Sequence, residues 1–315
     1  MNTESPVASQ PDVAPGAPPQ RCGFVALLGA PNVGKSTLVN ALVGSKVSIV
    51  TPKVQTTRSL VRGIATLGQA QLIFIDTPGI FVPKRRLDRA MVTSAWGGAH
   101  EADMVAVLID ARRGLDAESL SILDKVTDIR SPKVLILNKV DLVEKAKLLP
   151  LAAEANQRAA FLASFMVSAL TGDGVADLNR WFAEHAPEGP WHFPPDQISD
   201  APLRHLAAEI TREKLYLQLH QELPYQSTVE TDIWKELKDG SIRIEQTIYV
   251  ARESQRKIVL GKNGQIIKAI GAEARRELAE ILETTVHLFL FVKVRENWAD
   301  DPERYREIGL EFPKG

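Results

Sequence analysis

The hydrophobic positions of this 315-residue chain follow two regimes that change near residue 185. Before it, short unbroken apolar runs recur at Phe24–Leu28, Leu72–Ile75, Val105–Ile109, Val134–Leu137 and Phe165–Val167. Runs without polar alternation predict strands buried on both faces. The helical patterns between them predict a mainly parallel, doubly wound α/β sheet. The segment "RSLVRGIAT" reaches "QLIFID" through the turn "LGQAQ", which predicts one antiparallel edge strand. Beyond residue 185 a proline-rich stretch, "HAPEGPWHFPPDQISDAP", has no period and reads as a linker. A helical pattern follows, "LRHLAAEITREKLYLQLHQ", then the strand-like "YQSTVETDIWKEL" and "SIRIEQTIYV". In the second strand Ile242, Ile244, Ile248 and Val250 alternate with Arg243, Glu245 and Thr247, so one face is wet. "KDG" supplies the hairpin turn, two helices flank "GKNG", and "VHLFLFVKV" is the last strand. The expected organisation is a tail over 1–20, an α/β domain over 21–185, a linker over 186–202 and a smaller α+β domain over 203–315 with the order α-β-β-α-α-β.

Composition narrows the picture at three points. Cys22 is the only cysteine, so no disulfide can form within the chain. A net charge of −1 gives no whole-chain case for nucleic acid, so any such case must come from a local patch. No apolar run reaches transmembrane length. The first twenty residues carry no Lys, Arg or apolar core and read as a disordered Pro/Ala tail rather than a signal peptide.

Between the first strand and its helix lies "GAPNVGKST". Gly29, Gly34, Lys35 and Ser36 match G-x-x-x-x-G-K-[ST]. In that motif the backbone from Gly29 through Ala30, Pro31, Asn32 and Val33 to Gly34 forms a cradle of N–H groups for a polyphosphate at a helix N-terminus, with Pro31 giving shape but no N–H. Lys35 reaches the β- and γ-phosphates and Ser36 ligates Mg²⁺. "DTPG" ends the next apolar run. Asp76 there can hold Mg²⁺ through water, Thr77 and Pro78 shape the turn, and the Gly79 N–H can meet the γ-phosphate and swing when it leaves. "NKVD" ends "KVLIL". Its Asp141 can accept two hydrogen bonds from guanine N1–H and N2–H₂, a donor pair adenine lacks. Asn138 would tie this base site together, Lys139 would lie along the purine, and Val140 completes the turn. "SAL", with Ser168 and Ala169, offers a backbone N–H to guanine O6.

"GKNG" is a G-x-x-G between two helices. Gly261 and Gly264 let the backbone approach a sugar–phosphate chain closely, and the following helix start attracts phosphate. Lys262 and Asn263 lie inside the loop, and Arg252, Arg256, Lys257 and Lys268 nearby add charge. Ile267, Ile270, Ala274, Leu278 and Ile281, at helical spacing, are expected in the core.

The four nucleotide motifs, each at a strand end, resemble the translation-factor class of GTPases. That resemblance implies a switch-loop threonine on Mg²⁺ within "VQTTR": Thr57, with Thr56 the second candidate. Lys35, Thr57 and Gly79 are then the residues closest to the chemistry. In Ras-like GTPases a water-orienting glutamine follows D-x-x-G. Ile80 stands there instead and cannot do that work, although it closes the nucleotide-binding stretch. "GKNG" in an α-β-β-α-α-β order resembles the type II KH domain, a four-nucleotide single-strand clamp. Together the two halves resemble the Era family, over Gly23 to about Glu311. "QTTR", "HFP..QISD", "REKL", "ELPY" and "VKVRENWADD" share in the likeness, and Ala30 stands where the family often carries arginine.

The resemblance implies a cytoplasmic, monomeric GTPase using GTP/GDP and Mg²⁺. It would bind single-stranded RNA at the 3′ end of small-subunit ribosomal RNA, assist small-subunit assembly, and associate peripherally with the membrane. It also implies K⁺ on Asn32, whose neutral carbonyl could offset charge between the phosphates, although asparagine equally suits a left-handed backbone. Two other classes stay open: a signalling GTPase whose second domain binds proteins, disfavoured by the basic "GKNG", and a metabolic ATPase or kinase, disfavoured by "NKVD".

Overall fold

The computed structural model describes residues 19–53, 56–219, 227–296, 302–307 and 309–313. Nearly all of the expected tail, Val54 of the switch loop, the "ELPY" stretch and residues 297–301 lie outside these.

The first domain runs β1 (Arg21–Leu28), α1 (Lys35–Val43), β2 (Val61–Leu67), β3 (Ala70–Asp76), α2 (Arg86–Glu101), β4 (Met104–Asp110), α3 (Ala117–Val126), β5 (Lys133–Asn138), α4 (Leu148–Arg158), β6 (Ala163–Val167) and α5 (Val175–His185). The sheet order is β2-β3-β1-β4-β5-β6, antiparallel only at β2. Every residue of β3 and β4 is buried, as their unbroken apolar runs require. Because β1 lies between β3 and β4, the chain reverses its winding at β1, and the carboxyl ends of the strands there open a crevice of the kind that binds ligands in doubly wound sheets.

The second domain runs α6 (Leu203–Gln218), β7 (Ser227–Glu236), β8 (Ile242–Val250), α7 (Glu253–Leu260), α8 (Gln265–Ile281), β9 (Val286–Val294) and α9 (Pro302–Glu307). The sheet order is β7-β8-β9, with β7 antiparallel and β9 parallel to β8. Helices α6, α7 and α8 cover one face. Their Ile210, Leu215, Val259, Ile270, Ala274 and Leu278 pack on Ile244, Ile248 and Val250. Helix α9 was not anticipated. Its Tyr305, with Leu310 and Phe312 beyond it, seats on Leu87, Ala90 and Met91 of α2, in the first domain.

The linker is a strap rather than a free tether. The Ile64 N–H donates to the Ile198 carbonyl at 2.9 Å, and Ser199 Oγ to the Arg62 carbonyl at 2.9 Å. Gln71 Oε1 accepts from the His192 and Phe193 N–H groups, and Trp191 and Phe193 pack on Cys22, Ile64 and Ile73. These aromatic rings cover Ile64 and Ile73 on the outer face of β2 and β3.

Candidate nucleotide and RNA sites

The β1–α1 junction is shaped by backbone conformations that few residues tolerate. Asn32 sits at φ 63° and Gly34 at φ 99°. A Cβ on Gly34 would lie 2.4 Å from Asn138 Nδ2, and one on Gly29 2.8 Å from the Leu108 carbonyl oxygen. The side chains of Ala30 and Val33 belong to the main core, so these two bring only backbone to the loop. Lys35 is buried and donates to the Gly29 and Ala30 carbonyls at 3.1 Å each. Burial draws its pKa down to about 8, with Asp76 opposing. A cavity of about 430 Å³ lies in front of this loop. Pro31, Asn32, Lys35, Ser36, Thr57 and Gly79 line it together with Thr37, Thr51, Pro52, Arg112 and Lys139. A Cβ on Gly79 would stand 2.9 Å from Pro31 Cα, so that glycine is what lets the two phosphate-facing loops touch.

Three hydroxyls converge on one carboxylate. Asp76 Oδ2 accepts from Ser36 at 2.7 Å, Ser48 at 2.6 Å and Thr57 at 3.1 Å, and Ser36 and Thr57 are 2.9 Å apart. Asp76 is fully buried, and burial raises its pKa against these donors. Its Oδ1 is buried with no hydrogen-bond partner. An orphaned carboxylate oxygen beside two hydroxyls is a donor set of the hard-oxygen kind that suits hydrated Mg²⁺. Thr56 takes no part: its hydroxyl pairs with Thr51 at 2.6 Å and donates to the Lys53 carbonyl at 2.8 Å. Ser48 had no signal in the sequence, since only the fold brings it to Asp76.

Several expectations need correction. Ile80, placed above among the nucleotide-binding residues, is a core side chain that does not line the cavity; only its N–H takes part, donating to the Gly29 carbonyl at 3.1 Å. Thr77 lines the cavity as expected, while its hydroxyl donates to the Leu27 carbonyl at 2.5 Å. Lys139 bridges Asp110 Oδ2 at 2.7 Å and the Asn32 carbonyl at 2.5 Å, stapling the phosphate loop to the end of β4. Asn138 does tie loops together: its Nδ2 donates to the Val33 carbonyl at 2.8 Å, and its Oδ1 accepts the Ala169 N–H at 3.0 Å. That N–H, and the Ser168 N–H on the Asp173 carbonyl, are therefore occupied rather than open to guanine O6. Asp141 is exposed in the turn Val140–Leu142 just past β5.

The loop between α1 and β2 is held from the second domain. Arg212 of α6, only 1% exposed, donates to the Thr56 carbonyl and pairs with Glu209. Burial works against its charge, and Glu209 more than offsets this, holding the guanidinium above its ordinary pKa. Arg58 Nη2 donates to Tyr216 Oη at 3.0 Å, and Lys53 donates to the Tyr216 and Leu219 carbonyls at the end of α6. Thr57 thus lies between two anchors to the second domain.

The "GKNG" loop is built on similar lines but open. Gly261, Asn263 and Gly264 have φ of 69°, 54° and 73°, and α8 starts at Gln265. Lys262, Asn263, Lys257 and Lys268 are exposed. Arg256 is instead turned to the sheet edge, its Nε donating to the Val292 carbonyl at 3.3 Å and its Nη1 to Glu253 at 3.0 Å. Ile270, Ala274 and Leu278 are core as expected, whereas Ile267 and Ile281 are only half-buried. Ile258, one turn before the loop, leaves half its surface exposed and was not singled out from the sequence.

A doubly wound sheet with a phosphate loop, a magnesium-type oxygen cluster and "NKVD", followed by a clamp-bearing α-β-β-α-α-β domain, defines a P-loop GTPase fused to a KH domain. The family described as 50S ribosome-binding GTPase matches residues 24–139, and the KH domain family matches residues 222–299. GTPase Era of Afipia carboxidovorans is 70% identical over 298 residues, 95% of this chain and 97% of that protein. A solved structure of Era in complex with MgGDPNP and nucleotides 1506–1542 of 16S ribosomal RNA aligns with a TM-score of 0.87 at 39% identity, over 92% of this chain and 99% of that one. A variant of Aquifex aeolicus Era bound to GDP.AlF4- aligns at 0.86 and 38%, with the same shares. The chain belongs to the Era family of GTPases.

Proposed function

We propose that this GTPase binds the 3′ end of small-subunit ribosomal RNA through its KH domain and serves small-subunit assembly as a GTP-dependent switch. The observation that carries it is the convergence of Ser36, Thr57 and Asp76 beside Lys35, in a chain whose second domain presents an exposed, basic GxxG loop. The relative solved with MgGDPNP and 16S ribosomal RNA supports the same pairing of ligands. Ser36 and Thr57 would hold Mg²⁺ directly, and Asp76 would orient its water. Mg²⁺, when bound, offsets negative charge on the β- and γ-phosphates. Lys35 would leave the loop carbonyls for the phosphate oxygens, and the Gly79 N–H would meet the γ-phosphate. Asp141 would take the two guanine donors, and once the purine covers it an unmatched base leaves a carboxylate unsatisfied. Asp141→Asn should therefore lose GTP and gain xanthosine triphosphate, by about 2–3 kcal/mol for the charge-assisted pair. Unchanged GTP affinity in titration calorimetry would sink the base-site assignment.

With Ile80 in the core, the reaction lacks the usual water-orienting side chain. We assign part of the missing charge stabilisation to K⁺ on the Asn32 carbonyl. The Asn32 amide Nδ2 donates to the Pro52 carbonyl at 3.0 Å, which leaves Oδ1 for a cation at the rim of the phosphate cavity. Turnover should be faster in potassium than in sodium at equal ionic strength, and Asn32→Ala should erase the difference; equal wild-type rates in the two salts would refute it. The family resemblance also carries a cytoplasmic monomer with peripheral membrane association. Among the described residues no helix is long and apolar enough to cross a membrane.

A further inference from the structure

The second domain's three-stranded sheet has one open face. Helices α6, α7 and α8 cover the other face, where Ile242, Ile244 and Ile248 point. Strand alternation sends the intervening residues outward. Register places Arg243 of β8 beside His287 of β9, Glu245 beside Phe289, Thr247 beside Phe291 and Tyr249 beside Lys293. Phe289 and Phe291 keep 44% and 46% of their surface exposed. Two phenylalanines left in solvent on one strand call for an explanation. They stand two residues apart on the same face, about 6.6 Å along the strand.

The surroundings favour a polyanion with planar groups. The Arg243 guanidinium lies 4.8 Å from the Phe289 ring centroid, and Arg295 lies 5.9 Å from that of Tyr249. His287 and Lys293 are exposed at either end of the phenylalanine pair. The carboxylates of this face are Glu245, which accepts from Arg243 at 2.8 Å, and, on the far strand, Asp232, which accepts the Thr247 hydroxyl at 2.6 Å, and Glu230, in register with Thr247. Aromatic rings on a sheet, rimmed by cations, are the chemistry that stacks unpaired bases. An aliphatic patch for a protein partner would not need rings or cations.

The helices of the clamp and the open face meet at the β9 edge. β9 is an edge strand, and its other side borders the clamp: a Cβ on Gly271 of α8 would meet Leu290 at 3.4 Å, and Arg256 of α7 bonds the Val292 carbonyl. An RNA strand leaving the GxxG loop has only to round this edge to reach the phenylalanines. We propose that the open sheet face is a second single-strand surface, on which Phe289 and Phe291 stack two bases of the RNA held by the GxxG clamp. The proposal rests on the RNA-binding reading of that clamp.

The test uses the full chain and fluorescein-labelled single-stranded RNAs. One spans only the clamp, about four nucleotides, and one is about three times longer. The wild type should bind the longer RNA more tightly. Phe289→Ala/Phe291→Ala should lose that gain, about tenfold or more per ring, and keep the affinity for the short RNA. Phe289→Tyr/Phe291→Tyr should retain the gain, and Phe289→Leu/Phe291→Leu should lose it, because leucine is apolar but does not stack. No length-dependent gain in the wild type, an alanine variant that keeps the gain, or a leucine variant that equals wild type would overturn the proposal; the last would mark an apolar protein-docking patch. Failure of the clamp reading looks different: there, Lys262→Asp/Asn263→Asp would leave short-RNA binding untouched.

Discussion

The two glycine-gated loops of this molecule, Gly29–Ser36 and Gly261–Gly264, are built from the same parts and used in opposite ways. Each places an asparagine at positive φ, Asn32 and Asn263, ahead of a positive-φ glycine that starts a helix, Gly34 and Gly264. Each carries a lysine. In the first loop the lysine is buried, and the glycine is wedged against Asn138, 2.4 Å from where a Cβ would be. In the second the lysine is exposed, and the nearest atom to a Cβ on Gly264 is 4.0 Å away. A walled loop selects one rigid polyphosphate and can tie its presence to the switch loop, whereas an open one takes any phosphate in a passing chain. The same backbone geometry thus yields selectivity or tolerance according to what surrounds it.

The contrast is sharpest for the two glycines. Gly34→Ala should lower GTP affinity by at least about 100-fold, since it joins left-handed strain to a clash with the Asn138 amide that ties three loops together. Fluorescent-nucleotide titration measures this, and a change under threefold would mean that the walls are softer than described. Replacing Lys262 and Asn263 by aspartate should weaken RNA about tenfold or more and flatten the salt dependence, because phosphate contacts that release counterions are lost. GTP turnover should survive, and wild-type RNA affinity in that variant would remove the open loop from RNA binding. Gly264→Ala is the mildest: only left-handed strain opposes it, on the order of 1–2 kcal/mol, so RNA affinity should fall several-fold. Complete loss there would show that the second loop is as closely fitted as the first.

These loops were legible in the sequence because their function is written in local backbone needs: glycines and asparagines where φ is positive, at strand–helix junctions that apolar runs mark out. The runs at β3 and β4 located those strands well because burial on both faces leaves no polar alternation to misread. Contacts between distant segments were not legible. Arg212 reads as an ordinary helical charge, yet it meets the Thr56 carbonyl across 156 residues. Ile80 was placed by its neighbours in a motif, although its own apolar side chain pointed to the core. The Ala169 N–H was assigned to the base because no local feature reveals that Asn138 Oδ1 has claimed it.

The strap over β2 also bears on how the chain is made. β2 is the edge of the six-stranded sheet, and its outer backbone groups meet residues 198 and 199. Ser199 lies 137 residues beyond Arg62, its partner on that edge. At ordinary synthesis rates that distance corresponds to about 7–27 s during which a growing chain carries an unprotected strand edge. Unpaired edges recruit other strands, so the nascent first domain passes through an interval of aggregation risk that ends only when the segment after it emerges. Truncating the chain at the close of α5 recreates that interval permanently.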